Sequence, residues 1–304
     1  MKKRQVGKSD LFVSELGLGC MSLGTDPKKA QELIETALEE GINYFDTADL
    51  YDFGENEQIV GQALKHVRDT VIIATKAGNR WNEDKNGWRW DPSKKYIKEA
   101  VKNSLTRLGT DYIDLYQLHG GTLEDPIDET IEAFEELKEE GFIRYYGISS
   151  IRPNVIREYA AKSSIVSVMM QYSMLDRRPE EQAFPLLHEH GISVVTRGPL
   201  AKGLLSNRML EKVSEQGFLD YSYEELNSIF PLLREKFADS RTMTEVALQF
   251  NLAQPVVASI VAGASKVEQI RENAKAVQAQ PLSEAELSLI QSIIKPKQYK
   301  EHRL

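Results

Sequence analysis

Four ionisable residues stand at or just beyond the ends of three short apolar runs, and together they could handle a proton. The residues are Asp46, Tyr51, Lys76 and His119, and the runs are 42–45, 71–75 and 113–118. A phenol has a reference pKa of about 10, so it is a poor acid near neutral pH unless a cation lies close to it. An ammonium at the tip of an apolar strand needs a counter-ion, which a carboxylate supplies. We therefore interpret Asp46, Lys76 and Tyr51 as a tuned proton donor, with His119 as a second hydrogen-bonding group.

Each of these residues also has an ordinary interpretation. Asp46 could cap a loop, Tyr51 could lie on the surface, and His119 could be a core histidine with satisfied hydrogen bonds. Lys76 could instead be a Schiff-base nucleophile. Four chemically matched residues at the same ends of three predicted strands favour one shared site over four separate accidents.

The elements that must position these residues are predicted from the hydrophobic pattern. The predicted strands are 15–19, 43–46, 71–76, 113–119, 145–149, 167–171, 193–197 and 256–261. The predicted helices are 28–40, 57–65, 94–108, 127–140, 153–161, 181–190, 244–253 and 267–278. Such alternation predicts βαβ units with a parallel sheet, and eight strands predict an α/β fold of the (β/α)8 TIM barrel type, with residues 1–304 as a single domain.

Several features are expected to depart from the simple barrel. An N-terminal β-hairpin over residues 4–13 is predicted to close its bottom. Long loops are predicted after strands three and seven, at 77–91 and 204–241, and the second contains a helix. An extra C-terminal helix is predicted at 284–294. Capping boxes, in which a serine and a glutamate satisfy free amides, are predicted at Ser265–Glu268 and Ser283–Glu286.

The composition restricts the classes of protein to which this chain can belong. Its net charge of −8, from 46 acidic and 38 basic residues, argues against a general nucleic-acid binder. The single cysteine, Cys20, excludes an intramolecular disulfide and fits a reducing cytosol. The longest apolar stretch, near 256–264, is far shorter than a membrane span. We therefore expect a soluble cytoplasmic protein that binds neither nucleic acid nor membrane.

Two histidines could suggest a metal site, but their spacing argues against it. His188 and His190 are two positions apart in a predicted helix, where such residues do not share a face. No third ligand is close in sequence, so both are predicted to be solvated and no metal is expected.

Short motifs along nearly the whole chain resemble the aldo-keto reductase family. They are GLGCM at 17–21, NYFDTA at 43–48 followed by Tyr51, GENE at 54–57, TK at 75–76, DYIDLYQLH at 111–119 and IRYYGIS at 143–149. The resemblance runs from about Val6 to about Ala276 and places the family's catalytic tetrad on Asp46, Tyr51, Lys76 and His119. It implies that Tyr51 donates a proton to a carbonyl oxygen while a nicotinamide delivers hydride to the carbon. Lys76 and Asp46 would tune the phenol, and His119 would orient the carbonyl.

The resemblance also implies that NADP(H) binds in an extended form across the barrel mouth. The implied contacts are Gly19, Cys20, Met21, Asp46, Ser149, Ser150, Gln171, Arg197, Gly198, Pro199, Leu200, Lys202, Gly203, Gly263, Ser265, Lys266, Gln269 and Asn273. Some positions depart from the family pattern. The usual serine–asparagine pair is Ser149–Ser150, and the usual glutamine position is Met169, so Gln171 on the same strand face is the candidate for the amide contact.

Two cations are expected to influence cofactor choice. Arg197 occupies the position of the usual stacking aromatic, and its charge should favour the reduced nicotinamide over the cationic oxidised form. Lys266, at a helix N-terminus with free amides nearby, is predicted to bind the 2′-phosphate. The expected cofactor is therefore NADP(H) in preference to NAD(H).

The three tryptophans of the chain, Trp81, Trp88 and Trp90, all lie in the predicted loop 77–91. They are candidate substrate contacts, although packing on the barrel rim is an equal alternative. The resemblance predicts NADPH-dependent reduction of a small-molecule aldehyde or ketone to an alcohol. Two alternatives are a lyase with Lys76 as Schiff-base nucleophile, and a nucleotide-binding sensor such as the auxiliary channel subunits among the family's relatives. The complete tetrad argues against the sensor.

Overall fold

The computed structural model describes residues 1–303 and contains a closed barrel of eight parallel strands surrounded by helices. The strands are β1 (Lys3–Gln5), β2 (Phe12–Ser14), β3 (Leu16–Gly19), β4 (Tyr44–Asp46), β5 (Ile72–Ala77), β6 (Asn79–Trp81), β7 (Trp88–Trp90), β8 (Ile113–Leu118), β9 (Ile143–Ser149), β10 (Ser167–Gln171), β11 (Ser193–Arg197) and β12 (Val257–Gly263). The helices are α1 (Pro27–Glu39), α2 (Glu55–Leu64), α3 (Lys94–Leu108), α4 (Ile127–Glu139), α5 (Pro153–Lys162), α6 (Ala183–His190), α7 (Met209–Lys212), α8 (Tyr223–Phe237), α9 (Met243–Leu252), α10 (Val267–Val277) and α11 (Glu284–Ile293).

The sheet topology confirms the predicted barrel. β3, β4, β5, β8, β9, β10, β11 and β12 are neighbours in that order, and β12 pairs with β3 to close the sheet. Each predicted strand coincides with one of these to within one or two residues at its ends. Differences of that size are expected at element boundaries.

The barrel strands are buried on both faces, which explains why they are short apolar runs without polar alternation. β5 and β8 are buried at every position, with one face towards the helices and the other inside the barrel. Tyr44 and Leu115 lie in the interior cluster, and Val6, Leu11 and Val13 of the N-terminal segment join it. The antiparallel hairpin of β1 and β2 therefore closes the barrel as predicted.

The helices begin and end where local chemistry favours it, as α3 illustrates. The hydroxyl of Ser93 accepts a hydrogen bond from the backbone N–H of Tyr96 and caps its first turn. Gly109 ends the helix in the left-handed conformation, with φ of 63°, which glycine adopts without steric cost. Ile97 and Val101 are fully buried, so one face of α3 packs on the barrel.

The two predicted capping boxes have different outcomes. Ser283 and Glu286 form the predicted box at the start of α11. The box predicted at Ser265 and Glu268 is wrong, because Lys266 is the N-cap of α10 and no side chain within residues 1–303 caps that helix. The first amides of α10 are therefore available to another acceptor.

Both long connections leave the C-terminal end of the barrel. The segment 77–91 was predicted to be a loop, but it contains the antiparallel hairpin of β6 and β7. The segment 204–241 contains α7 and α8, in agreement with a long insertion that includes helix. Within residues 1–303, no helix combines the length and the apolar character that a bilayer crossing requires.

Candidate active site

The four candidate catalytic residues lie together at the C-terminal mouth of the barrel. Asp46 is the last residue of β4, Lys76 is next to last in β5, and His119 directly follows β8. Tyr51 begins the short 3-10 turn Tyr51–Gly54, which leads into α2. Because parallel barrel strands end at one rim, residues far apart in sequence meet there.

Lys76 is the centre of the hydrogen bonding in this site. Its Nζ donates to Asp46 Oδ1 at 2.6 Å, to the backbone oxygen of Thr47 at 2.7 Å and to Tyr51 Oη at 3.4 Å. These bonds use all three hydrogens of the ammonium. Burial by itself would lower the pKa of Lys76, but attraction to Asp46 and Tyr51 outweighs it, so the pKa is raised and the side chain is charged.

His119 is neutral at physiological pH. Burial, reinforced by the positive charges of Lys76 and Arg197, lowers its pKa from 6.5 to about 3. The ring lies edge-on to that of Tyr51, with centroids 6.0 Å apart. Its Nδ1 is buried and has no hydrogen-bond partner within residues 1–303. A neutral imidazole in this position can donate one N–H hydrogen bond to a substrate oxygen.

The tetrad lines one part of a cavity of about 1620 Å³, which extends from the tryptophan hairpin to α10. Nearly all of the predicted cofactor contacts line the same cavity. They are Gly19, Met21, Asp46, Ser149, Ser150, Gln171, Arg197, Gly198, Pro199, Leu200, Lys202, Gly203, Gly263, Ser265, Lys266, Gln269 and Asn273. The barrel mouth therefore places a proton-handling cluster and a long groove side by side.

Comparison with known proteins identifies the family. A model of the aldo/keto reductase family matches residues 15–295. This chain belongs to the aldo/keto reductase family. It is 62% identical over 307 residues to an uncharacterized oxidoreductase, YqkF, of Bacillus subtilis (strain 168), with 100% of both chains covered.

Two further relatives of this aldo/keto reductase extend the comparison. The holo form of an aldo-keto reductase from Bacillus halodurans has 62% sequence identity and a TM-score of 0.95, with 100% of both chains covered. An NADH-specific methylglyoxal reductase of Escherichia coli (strain K12) is 35% identical over 321 residues, which cover 96% of this chain and 98% of that protein. The chain is thus an oxidoreductase of a family that uses nicotinamide cofactors.

Cys20 is a predicted cofactor contact that does not line the cavity of this aldo/keto reductase. The chain turns after Gly19, so the Cys20 side chain enters the hydrophobic core and is fully buried, whereas Met21 is 65% exposed at the mouth. Burial raises the pKa of the Cys20 thiol well above its ordinary value. The Cys20 thiol therefore does not face the cavity, and the predicted cofactor contact at Cys20 stays a prediction.

The N-terminus of α10 forms the far end of the cavity. Ser265 and Lys266 are exposed there, and the backbone N–H of Ser265 donates to Gln269 Oε1 at 2.8 Å. Arg271, on the same helix, faces an adjoining groove of about 570 Å³, which Ser265 and Lys266 also line, and its Nε lies 3.9 Å from Glu40 Oε1. Of these two cations on α10, Lys266 is the one that lines the main cavity.

Gln171 and Arg197 line the cavity as a bonded pair. Arg197 Nη1 donates to Gln171 Oε1 at 3.0 Å, and Gln171 Nε2 donates to Asp176 Oδ2 at 2.9 Å. Both ends of the Gln171 amide are therefore engaged. A nicotinamide contact from Gln171 would use the second N–H or the second oxygen lone pair of this amide.

The three tryptophans do not act together. Trp88 and Trp90 line the cavity, and the indole N–H of Trp90 donates to Asp125 at 2.8 Å. Trp81 lies outside the cavity lining and packs against Phe53 and Arg107. Although Trp81 is the cross-strand partner of Trp88, it does not line the cavity, so the expected substrate role for Trp81 is not supported by its location.

Some cavity residues were missed by sequence reasoning. Thr244 and Asn207 both donate hydrogen bonds to Glu272 Oε1, at 2.7 and 2.9 Å, beside the predicted contact Asn273. Asn79 Nδ2 donates to the backbone oxygen of His119 at 3.0 Å. Glu272 could have been predicted from the sequence, because it is next to the predicted contact Asn273. Asn79 could not, because only the folded hairpin brings it to the cavity.

The residues of the mouth fit a nicotinamide dinucleotide. The uncapped amides of α10 and the Lys266 ammonium suit a phosphate. At Gly263 an added Cβ would fall against the hydroxyl of Ser22, which lines the same cavity, so a side chain there would force Ser22 to move. His119 lines the same cavity beside Tyr51 and Lys76, so the tetrad end can receive a polar ligand atom.

Proposed function

We propose that this oxidoreductase reduces an aldehyde or ketone to the corresponding alcohol, with NADPH as the hydride donor. The observation that carries the proposal is the Lys76 ammonium, which is bonded to both Asp46 and Tyr51 within the cavity that also reaches α10. This arrangement supplies a phenol with its charge-stabilising cation at the place where a carbonyl would lie.

In this proposal Tyr51 is the general acid. Bound NADPH supplies hydride to the carbonyl carbon. Tyr51 Oη gives its proton to the carbonyl oxygen, and the Lys76 ammonium stabilises the negative charge left on the phenolate. Asp46 holds Lys76 charged and oriented, and neutral His119 donates a hydrogen bond that orients the carbonyl.

The cofactor would be held at both ends of the cavity. Lys266 and the free amides of α10 would bind the 2′-phosphate, and Gln269 and Asn273 would contact the adenine. Ser149, Ser150 and Gln171 would hold the nicotinamide amide, beside Arg197. The exposed Lys266 ammonium is the feature that supports NADPH over NADH.

The Schiff-base alternative is not favoured by the geometry. A nucleophilic lysine must be neutral, but Lys76 has a raised pKa and donates three hydrogen bonds. The geometry of the site does not favour the sensor alternative either, because the proton-donating arrangement is complete. Neither alternative requires Tyr51 to lie beside Lys76.

The test is NADPH oxidation with a panel of aldehydes and ketones, repeated with NADH. Tyr51→Phe should bind NADPH like wild type and lose about 10²- to 10⁴-fold in kcat, the usual contribution of a general acid. Full activity of Tyr51→Phe would remove Tyr51 from the reaction. A wild-type protein that binds NADPH tightly and reduces no carbonyl would support the sensor instead.

A further inference from the structure

The turn that carries Tyr51 has an unusual backbone. Asp52, Phe53 and Gly54 all adopt left-handed conformations, with φ of 47°, 52° and 88°. Residues other than glycine adopt this conformation only where their surroundings hold them. The position of Tyr51 therefore depends on the side chains that pack against this turn.

Trp81 and Arg107 pack against the turn from outside the cavity. A Cβ added at Gly54 would lie 2.7 Å from Arg107 Cδ and 3.1 Å from Trp81 Cη2, so both side chains touch the glycine. The Trp81 ring is edge-on to Phe53, with centroids 6.4 Å apart. The Arg107 guanidinium lies over the Trp81 ring, 5.3 Å from its centroid.

The same contacts brace the turn against the strand that carries Lys76. Arg107 Nε donates to Glu57 Oε2 at 2.6 Å, and the other oxygen of Glu57 accepts from Thr75 Oγ1 at 2.6 Å. Glu57 is fully buried, so its charge must keep these partners. Thr75 directly precedes Lys76 in β5, and the turn and the strand are thus tied together.

Trp81 also belongs to the hairpin that forms one wall of the cavity. Trp81 in β6 is paired in register with Trp88 in β7. Trp88 and Trp90 line the cavity, whereas Trp81 contacts the Tyr51 turn. One hairpin therefore touches both the substrate side of the mouth and the support of the proton donor.

We propose that Trp81 is a positioning residue that, with Arg107, holds Tyr51 Oη within reach of Lys76 Nζ. The inference rests on the proposed function, since it assigns Trp81 to the proton-transfer step. The bond from Lys76 to Tyr51, at 3.4 Å, is the longest of the three that Lys76 makes. A displacement of about 1 Å at a reacting group can lower a rate about a hundredfold.

The first experiment compares Trp81→Ala and Trp81→Phe with Trp88→Ala in the full-length enzyme with NADPH. Trp81→Ala should lower kcat about tenfold to a hundredfold and alter the pH dependence of kcat, with little change in the KM for NADPH. Trp81→Phe keeps a ring against Phe53 and should recover most of the rate. Trp88→Ala, the matched change on the cavity side, should instead alter mainly the KM for the carbonyl. If Trp81→Ala and Trp88→Ala changed kcat and KM in the same way, the proposal would be overturned.

A double-mutant cycle separates this inference from the proposed function. In the Tyr51→Phe background, Trp81→Ala should have almost no further effect on kcat, because both changes remove the same proton transfer. Additive losses would overturn the positioning role and leave the role of Tyr51 intact. A crystal structure of Trp81→Ala with NADPH needs no turnover: a lengthened Tyr51–Lys76 separation is expected, and retention of the wild-type separation would refute the positioning role of Trp81.

Discussion

The tetrad end and the α10 end of the same cavity are built in opposite ways. At the tetrad, Asp46 and Lys76 are 3% and 0% exposed, lie on barrel strands and are joined at 2.6 Å. At the other end, Ser265 and Lys266 are exposed and precede a helix without a side-chain cap. One end is a fixed ionic cluster, and the other is a solvated set of anion-binding groups.

The difference follows from the cost of leaving a charge unpaired. In a dry interior an isolated ion is destabilising by several kcal/mol, so Asp46 and Lys76 must satisfy each other in the folded chain. An exposed ammonium and free helix amides are hydrated and can exchange water for a phosphate. Changes at the tetrad should therefore affect both folding and chemistry, whereas changes at α10 should affect binding alone.

The largest effect is expected from Lys76→Met. The variant leaves the Asp46 carboxylate buried without its partner, which should lower the free energy of unfolding by about 3–5 kcal/mol. It also removes the cation beside Tyr51, so kcat should fall by about 10²-fold or more. Lys266→Met is the matched control and should unfold like wild type in urea. Equal free energies of unfolding for the two variants would contradict the proposed difference between the buried and the exposed end of the cavity.

The next largest effect is expected from Lys266→Ala. Loss of one charge-assisted contact to the 2′-phosphate should weaken NADPH binding about tenfold and leave NADH binding nearly unchanged. Titration of both cofactors measures this. Arg271→Ala removes a cation that faces the neighbouring groove on the same helix, so it should change neither affinity. Equal losses of NADPH and NADH would place the 2′-phosphate elsewhere.

A smaller effect is expected from Arg197→Leu. If Arg197 lies beside the nicotinamide, its positive charge opposes the oxidised ring, and its removal should improve the affinity for NADP⁺ relative to NADPH about two- to fivefold. Dissociation constants for the two forms measure the ratio. An unchanged ratio would remove Arg197 from the nicotinamide environment. The hydrogen bond that Arg197 donates to Gln171 would then have a structural role only.

The last effect is expected from Asp49→Asn, on stability as a function of pH and not on binding or catalysis. Burial, followed by repulsion from Glu57, raises the pKa of Asp49 from 3.8 to about 8. Between about pH 4 and pH 8 only the folded chain holds this proton, so wild-type stability falls relative to the variant as the pH rises through that window. Above about pH 8 the difference should be constant.

Thermal unfolding measures the effect of Asp49→Asn. The variant's advantage in melting temperature should be about 7–15 °C larger at about pH 8 than at about pH 5, because about 1.4 kcal/mol is lost per pH unit and large domains shift by about 2–4 °C per kcal/mol. Asn at this position can still accept the hydrogen bond from Tyr96. The control is Asp52→Asn, the same change at an exposed aspartate in the next turn. A constant advantage across this range would contradict the buried neutral carboxyl.

Much of the fold and of the candidate site was predictable because its determinants are local. Apolar runs bounded by helix patterns located β10 and β11 to the residue. The motifs around Asp46, Lys76 and His119 located the tetrad, because strand ends in a parallel barrel must share one rim. The capping box of Ser283 and Glu286 was also predictable, since both residues lie within one helical turn.

The remaining features depend on contacts between residues distant in sequence. Trp81 packs against Phe53 and Arg107 and does not line the cavity. No sequence pattern in 77–91 predicts these contacts. Cys20 turns into the core, and the amide of Gln171 is held by Arg197. The chain by itself therefore determined which strands form the barrel and which four residues meet at its mouth. Only the tertiary structure decided the direction in which each loop side chain points. That direction depends on the distant residues against which the side chain packs.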